Sequence, residues 1–147
     1  MNSFFPDLNV WLALAVTGHP HSSAAWSWLN SVKESSRLVF SRYTQLGFVR
    51  LLSHSAAGGK PLTLQESVAS YRQWLDDPRV EFRSESRSTE AELWEVLGLH
   101  KNQPAPQFAG DAYLLAFARA QGSVLVTFDK ALHRFALAND YAAIIPR

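Results

Sequence analysis

The sequence predicts an α/β fold in which a mainly parallel sheet lies between two layers of helices. Two short and unbroken apolar runs, at residues 38–40 and 124–126, have the β-rich composition of strands that are buried on both faces. Each of these runs leads directly into a segment of helical apolar periodicity. Because strands that alternate with helices build parallel sheets, we predict an α/β sandwich.

The composition indicates one folded domain spanning residues 1–147. Hydrophobic residues make up 47% of the chain and include five Trp, nine Phe and four Tyr, which suits a sizeable core. The net charge of +1 gives no overall attraction to nucleic acid, so RNA contacts require local basic patches. The absence of cysteine excludes disulfides and thiolate zinc sites. No basic leader and no apolar segment of roughly 20 residues is present, so we expect a soluble, cytoplasmic protein.

The first half of the chain contains two predicted strands and three predicted helices. An apolar run ends at Asp7 and a helix follows at once, until the breaker cluster at 17–20. The second strand, at 38–40, ends at Ser41, which has the character of a helix N-cap. The first three helices are predicted at residues 9–16, 24–33 and 43–53.

The second half continues the alternation after a loop at 53–61, the longest in the chain. Thr63 and Glu66 form a predicted capping box at the start of a helix that ends before residue 76. Ser88 or Thr89 is predicted to cap a further helix, and Gly98 to end it. A helix that is apolar almost all round begins at Gly110-Asp111 and ends at Gly122. The remaining predicted segments are strands at 80–82, 124–126 and 142–145, a polar loop at 100–107 and a helix at 130–136.

Three of the six aspartates lie where a ligand site of an open parallel sheet is expected. Asp7 and Asp129 each end a predicted strand, so both should emerge at the carboxyl edge of the sheet, where such folds bind ligands. Asp111, at the start of a buried helix, is able to project to the same edge. Asp7 alone is equally compatible with a simple helix cap. Asp76, Asp77 and Asp140 lie in turn-like stretches and are interpreted as structural.

Converging carboxylates predict a divalent cation. Without a cation they repel one another and their pKa values rise, and hard oxygen ligands prefer Mg²⁺ or Mn²⁺. Such an ion is able to support hydrolysis of a phosphodiester. The five histidines show no ligand spacing, so a histidine site is not expected, and the five tryptophans are interpreted as core or interface anchors rather than base-stacking platforms.

Four short segments, in order along the chain, resemble the PIN domain and specifically the VapC-type toxins of bacterial toxin–antitoxin systems. The segments begin at Asp7-Leu8-Asn9, Tyr43-Thr44-Gln45, Gly110-Asp111-Ala112 and Thr127-Phe128-Asp129. The resemblance implies five parallel strands in a three-layer sandwich and a metal-dependent endoribonuclease. It also implies a homodimer that a cognate small antitoxin protein holds inactive.

By position, the resemblance assigns the acidic metal-site residues to Asp7, Asp111 and Asp129, with Asn9 and Thr127 as supporting polar residues. Gln45 stands where the family commonly places Glu, and its carbonyl is still able to accept a hydrogen bond from a water on the ion. Arg42, Arg50, Lys130 and Arg134 are candidates for a basic rim that binds RNA phosphates, although a solvated charged surface explains them equally well.

Two other functions remain open at this stage. A catalytically weak PIN relative that binds RNA or protein is favoured by the neutral Gln45. A phosphatase with strand-end aspartates is the third hypothesis, but Asn9 stands where that chemistry needs a second carboxylate.

Overall fold

The computed structural model describes residues 2–54, 59–100 and 103–147. Five strands form one sheet in the order β3-β2-β1-β4-β5, and every neighbouring pair is parallel. The mainly parallel, five-stranded sheet of the sequence prediction is therefore confirmed. The strands are β1 Ser3–Pro6, β2 Arg37–Phe40, β3 Val80–Phe82, β4 Val124–Val126 and β5 Ala143–Ile144.

Seven helices connect and cover these strands within the described ranges. Most begin or end one or two residues away from the predicted positions, as is usual for helix ends. The α6 helix begins two residues before the predicted Gly110, so Asp111 lies at the end of its first turn. The helices are α1 Leu8–Ala15, α2 Ser22–Ser31, α3 Arg42–Leu52, α4 Leu64–Trp74, α5 Thr89–Leu97, α6 Phe108–Ala120 and α7 Lys130–Ala138.

Local capping explains where several helices start. Ser41 and Thr44 form a reciprocal capping box on α3, and Thr63 and Glu66 form the predicted one on α4. Ser88 precedes α5 without a side-chain capping bond. Parts of the loops predicted at 53–61 and 100–107 lie outside the described residues.

Two apolar clusters lie on opposite faces of the sheet, which confirms the three-layer arrangement. Alternate residues of β2 separate into the two clusters, with Leu38 and Phe40 on one face and Val39 on the other. The cluster that contains Val39 also contains six consecutive or near-consecutive buried residues of α6. The opposite cluster is centred on Trp11 of α1, whose ring stacks on Phe40 with centroids 4.0 Å apart.

This packing places the start of several helices at the carboxyl edge of the sheet. The α1, α3 and α7 helices each begin within four residues of the end of β1, β2 and β4 respectively. The fold thus brings three helix starts, and the polar residues at them, to one edge.

No helix in the described part of the chain has the length and apolar character needed to cross a membrane.

Candidate active site

Asp7 and Asp129 lie on the same edge of the sheet, as the sequence predicts. Their strands, β1 and β4, are neighbours, and Pro6 is paired with Val126. The backbone N–H of Asp7 donates to the carbonyl of Val126 at 2.8 Å. The two aspartates therefore follow directly from adjacent strand ends.

The hydroxyl of Thr127 connects these two strand ends. The side chain is completely buried, and its Oγ1 donates to Oδ2 of Asp7 at 2.8 Å. The same oxygen accepts from the backbone N–H of Asp129 at 3.1 Å and from Nδ2 of Asn9 at 3.4 Å. Oδ1 of Asn9 accepts from the backbone N–H of Phe128 at 3.3 Å. Asn9 and Thr127 thus hold the polar network around Asp7 and Asp129.

Both strand-end aspartates also cap the helices that follow them. Oδ1 of Asp7 accepts from the backbone N–H of Leu8 at 2.6 Å, and Oδ1 of Asp129 accepts from that of Leu132 at 3.0 Å. The capping interpretation of Asp7 and the site interpretation are therefore compatible. Each cap occupies one carboxylate oxygen and fixes the orientation of the other.

The electrostatics show that the three carboxylates interact. Burial raises the pKa of Asp111 to about 6, and the charges of Asp129 and Asp7 add to this effect. Burial also raises the pKa of Asp7, against the opposing effect of the hydrogen bonds from Thr127 and Leu8. Among the described residues, no salt bridge neutralises any of the three aspartates. Repulsion between these carboxylates is therefore not offset by an ion pair in the described part of the chain.

This donor set fits a hard divalent cation in its chemistry, because every available atom is a carboxylate, amide or hydroxyl oxygen. Within residues 2–54, 59–100 and 103–147, however, no three histidine, cysteine, aspartate or glutamate side chains are close enough to enclose one ion together. The mutual effects on pKa act over longer distances than ligand bonds. That the three aspartates share one ion stays a prediction.

Gln45 contacts a basic residue in this structure. Its Oε1 accepts a hydrogen bond from Nη1 of Arg42 one turn earlier in α3. The guanidinium of Arg42 also lies over the ring of Phe82, 4.6 Å from its centroid. The acceptor atom that the sequence prediction directed towards the ion is thus engaged by Arg42, and a role for Gln45 in catalysis stays a prediction.

The four basic residues predicted as an RNA rim are all exposed. Arg42 is the first residue of α3 and Lys130 is the first residue of α7, so both lie at the edge that carries the aspartates. Arg50 and Arg134 lie further along the same two helices. None of the four forms a salt bridge with a described carboxylate.

Two aromatic pairs each include a residue that neighbours one of the aspartates in the chain, and no pattern in the sequence predicts either pair. His21, in the turn before α2, stacks on Phe128, although His21 lies more than a hundred residues away in the chain. Tyr43 and Tyr113 have ring centroids 5.0 Å apart. A Cβ atom at Gly110 would lie 2.7 Å from the Tyr43 hydroxyl, so a larger residue beside Asp111 would require the exposed Tyr43 side chain to move.

Comparison with known families identifies the class of protein. The PIN domain model matches residues 4–137, and the chain therefore belongs to the PIN domain family. The match runs from β1 to α7. It includes Asp7, Asp111 and Asp129, which together are called the acidic edge below.

Among individual relatives, the chain is similar to the VapC proteins. It is 39% identical over 134 residues to the Ribonuclease VapC41 of Mycobacterium tuberculosis, which covers 88% of this chain and 90% of that protein. The chain is also 30% identical to Ribonuclease VapC33 of the same organism over 77 residues. This match covers 52% of this chain and 54% of that protein.

Solved structures confirm that the fold is shared. VapBC2 from Rickettsia felis, bound to a promoter DNA fragment, matches with a TM-score of 0.71 at 14% identity over 99% of each chain. VapC20 from Mycobacterium tuberculosis, described as a toxin that cleaves the sarcin-ricin loop, matches with a TM-score of 0.68 at 21% identity, covering 97% of this chain and 99% of that one.

We expect Thr127→Val to weaken both the fold and the site. The substitution keeps the shape of the side chain but removes the donor to Asp7 and the acceptor for Asn9 and Asp129. Leaving these partners unsatisfied should reduce the free energy of unfolding by about 1–3 kcal/mol and raise the pKa of Asp7 further. Urea titration and carboxyl NMR measure the two effects. Thr127→Ser, which keeps the hydroxyl, should lie close to the native protein, and equal losses in both variants would contradict this role.

We expect Asp111→Asn to change the pH dependence of stability. The pKa of Asp111 is about 6 in the folded protein, whereas the ordinary pKa of an aspartate in the unfolded chain is 3.8. The folded protein therefore binds the proton more tightly than the unfolded chain. Stability is therefore lost as pH rises through this window. Without divalent cations and above pH 6, the free energy of unfolding of the variant should exceed that of the native protein by about 1 kcal/mol, a value that allows for solvent screening. The difference should vanish in acid. Thermal melts across pH test this, with Asp76→Asn as control; parallel profiles of native and Asp111→Asn proteins would contradict it.

Proposed function

We propose that this protein is an endoribonuclease that acts as the toxin of a type II toxin–antitoxin pair. The observation that carries the proposal is the near full-length similarity to a ribonuclease of the VapC group, at 39% identity. The acidic edge formed by Asp7, Asp111 and Asp129 supports it, because carboxylates that hold a divalent cation are one arrangement able to support phosphodiester hydrolysis.

The proposed cofactor is Mg²⁺ or Mn²⁺. Asp7, Asp111 and Asp129 would hold the ion. Burial raises the pKa values of Asp7 and Asp111, and repulsion between the carboxylates adds to this effect. Once bound, a divalent cation supplies Lewis-acid chemistry at a phosphodiester. The protein's own part is to hold Asp7 and Asp129 in fixed orientations through their caps and through Thr127.

Arg42, Arg50, Lys130 and Arg134 are proposed to bind the phosphates on either side of the cleaved bond. Their exposure and lack of salt bridges with described carboxylates support this role. Because the overall charge is only +1, affinity for RNA has to come from such a local cluster.

A second function is favoured by one observation. Gln45 provides no charge, and its carbonyl oxygen is already engaged by Arg42. A site with three carboxylates instead of four binds a cation less tightly, which would suit a catalytically weak PIN relative that binds RNA or protein. Cleavage assays separate the two functions.

Asp7→Asn should abolish divalent-dependent RNA cleavage while leaving the fold intact. Asparagine is still able to cap α1, and removal of one charge from a repulsive cluster should leave the melting temperature unchanged or slightly raised. The measurements are cleavage of oligoribonucleotides with and without Mg²⁺ or Mn²⁺, and thermal melts. Asp76→Asn, a change at an exposed aspartate remote from the site, should retain activity.

If native protein and Asp7→Asn bind RNA equally but neither cleaves it, the binding-module function is correct. A large loss of stability in Asp7→Asn would instead indicate that Asp7 is mainly structural.

The proposed partners are a cognate small antitoxin and a second copy of this chain. An apolar groove of about 480 Å³ begins beside the site and is lined by Leu8, Tyr43, Leu46, Gly47, Val49, Arg50 and Leu64. Leu46 and Leu64 are 61% and 64% exposed, which is typical of partner surfaces. We propose that the antitoxin covers this groove, because a segment lying in it reaches Leu8, the neighbour of Asp7.

Leu46→Arg should therefore reduce inhibition by the antitoxin without loss of basal cleavage. The antitoxin to use is the product of a short reading frame adjacent to the gene. Its inhibition constant for the Leu46→Arg protein should rise at least about tenfold, since a charge would face an apolar partner surface. Trp94→Arg, at an equally exposed apolar residue of α5, should not change it. Light scattering at micromolar concentration tests the homodimer, and a monomer mass would contradict that part.

A further inference from the structure

We propose that His21 and Phe128 form a stacking platform that binds the flat face of one RNA base beside the acidic edge. The inference rests on the ribonuclease function proposed above and names a residue pair that sets how the substrate is held there. It assigns a role to a histidine for which the sequence alone predicted none.

The platform is defined by its geometry. The imidazole of His21 and the ring of Phe128 have centroids 4.4 Å apart and planes inclined by only 11°. One face of the histidine ring is thus covered by the phenyl ring, and the His21 side chain is otherwise exposed. The imidazole of His19 lies at an angle to one side, with its centroid 5.9 Å from that of His21. A second flat group is therefore able to continue the stack on the outer face of His21.

The pair is anchored to the polar network of the site. Phe128 lies between Thr127 and Asp129, and its backbone N–H donates to Oδ1 of Asn9. Its ring also packs partly against the apolar cluster around Trp11. A base that stacks on His21 is consequently held close to the strand end that precedes Asp129.

The turn that carries His21 is itself held in place. Gly18 has a φ of +82°, which reverses the chain after α1. Nδ1 of His19 accepts from the backbone N–H of His21 at 3.1 Å. His21 stands at the N-cap position of α2 but makes no side-chain capping bond. Its ring therefore has no capping task that competes with stacking.

A base is the ligand that this surface suits. Every nucleobase has a flat π face, and proteins bind unpaired RNA bases by stacking them on Phe, Tyr, Trp or His rings. Phosphate contacts from a basic rim position the nucleic-acid backbone but do not contact the bases themselves. A platform at one end of the edge would bind one base directly and would favour RNA whose bases are unstacked.

The test compares His21→Ala, His21→Phe and Trp94→Ala with the native protein. The substrates are short single-stranded oligoribonucleotides in Mg²⁺, and kcat and KM are determined separately. His21→Ala should raise KM about fivefold or more, the lower end of the effect of losing one stacked base, with little change in kcat. His21→Phe keeps a flat ring and should restore the native KM. Trp94→Ala removes an exposed aromatic residue elsewhere and should have no effect.

RNA binding measured in an Asp7→Asn background separates this inference from the proposed function. There, fluorescence anisotropy should show the same loss on adding His21→Ala and the same recovery with His21→Phe, whether or not the native protein cleaves RNA. Equal binding by all three forms would overturn the platform. So would a His21→Phe variant as weak as His21→Ala, because the imidazole would then matter for something other than its flat face. If the native protein binds RNA through His21 but does not cleave it, only the proposed ribonuclease function is overturned, and the stacking platform stands.

Discussion

The buried hydroxyl of Thr127 is the interaction on which the acidic edge depends. It donates to one aspartate and accepts from the backbone of the other, so it links the ends of two adjacent strands. A parallel sheet brings strand ends to one edge but does not by itself fix the orientation of side chains there. The helix caps of Asp7 and Asp129 and the amide of Asn9 complete the network. The site is therefore positioned by strand ends and helix starts.

This arrangement holds negative charge that no ion pair neutralises within the described residues. Burial raises the pKa of both Asp7 and Asp111, and their repulsion from Asp129 contributes to it. A cation would relieve this cost, which couples ion binding to stability. The same repulsion between carboxylates explains why removal of one carboxylate charge should not destabilise the ion-free fold. It also means that function at this edge and stability of the chain oppose each other, as is common at active sites.

The surroundings of the edge offer several kinds of surface. Exposed arginines and lysines at the starts of α3 and α7 provide positive charge. Aromatic pairs on the two sides provide flat apolar surfaces, His21 with Phe128 and Tyr43 with Tyr113. The apolar groove that starts at Leu8 leads away from the edge along α3. Positive charge, flat rings and an apolar groove thus lie around the carboxyl edge of the sheet.

The sequence by itself determined the parallel sheet, the buried α6 helix and the placement of Asp7 and Asp129 at one edge. Apolar periodicity and capping residues are local signals, and the topology of parallel strands converts them into a shared edge. Only the tertiary structure decided what surrounds that edge. The stack of His21 on Phe128 and the position of Arg42 over the ring of Phe82 depend on how side chains from separate segments pack. No periodicity or spacing records such contacts, because they arise from the angles at which helices and turns meet the sheet.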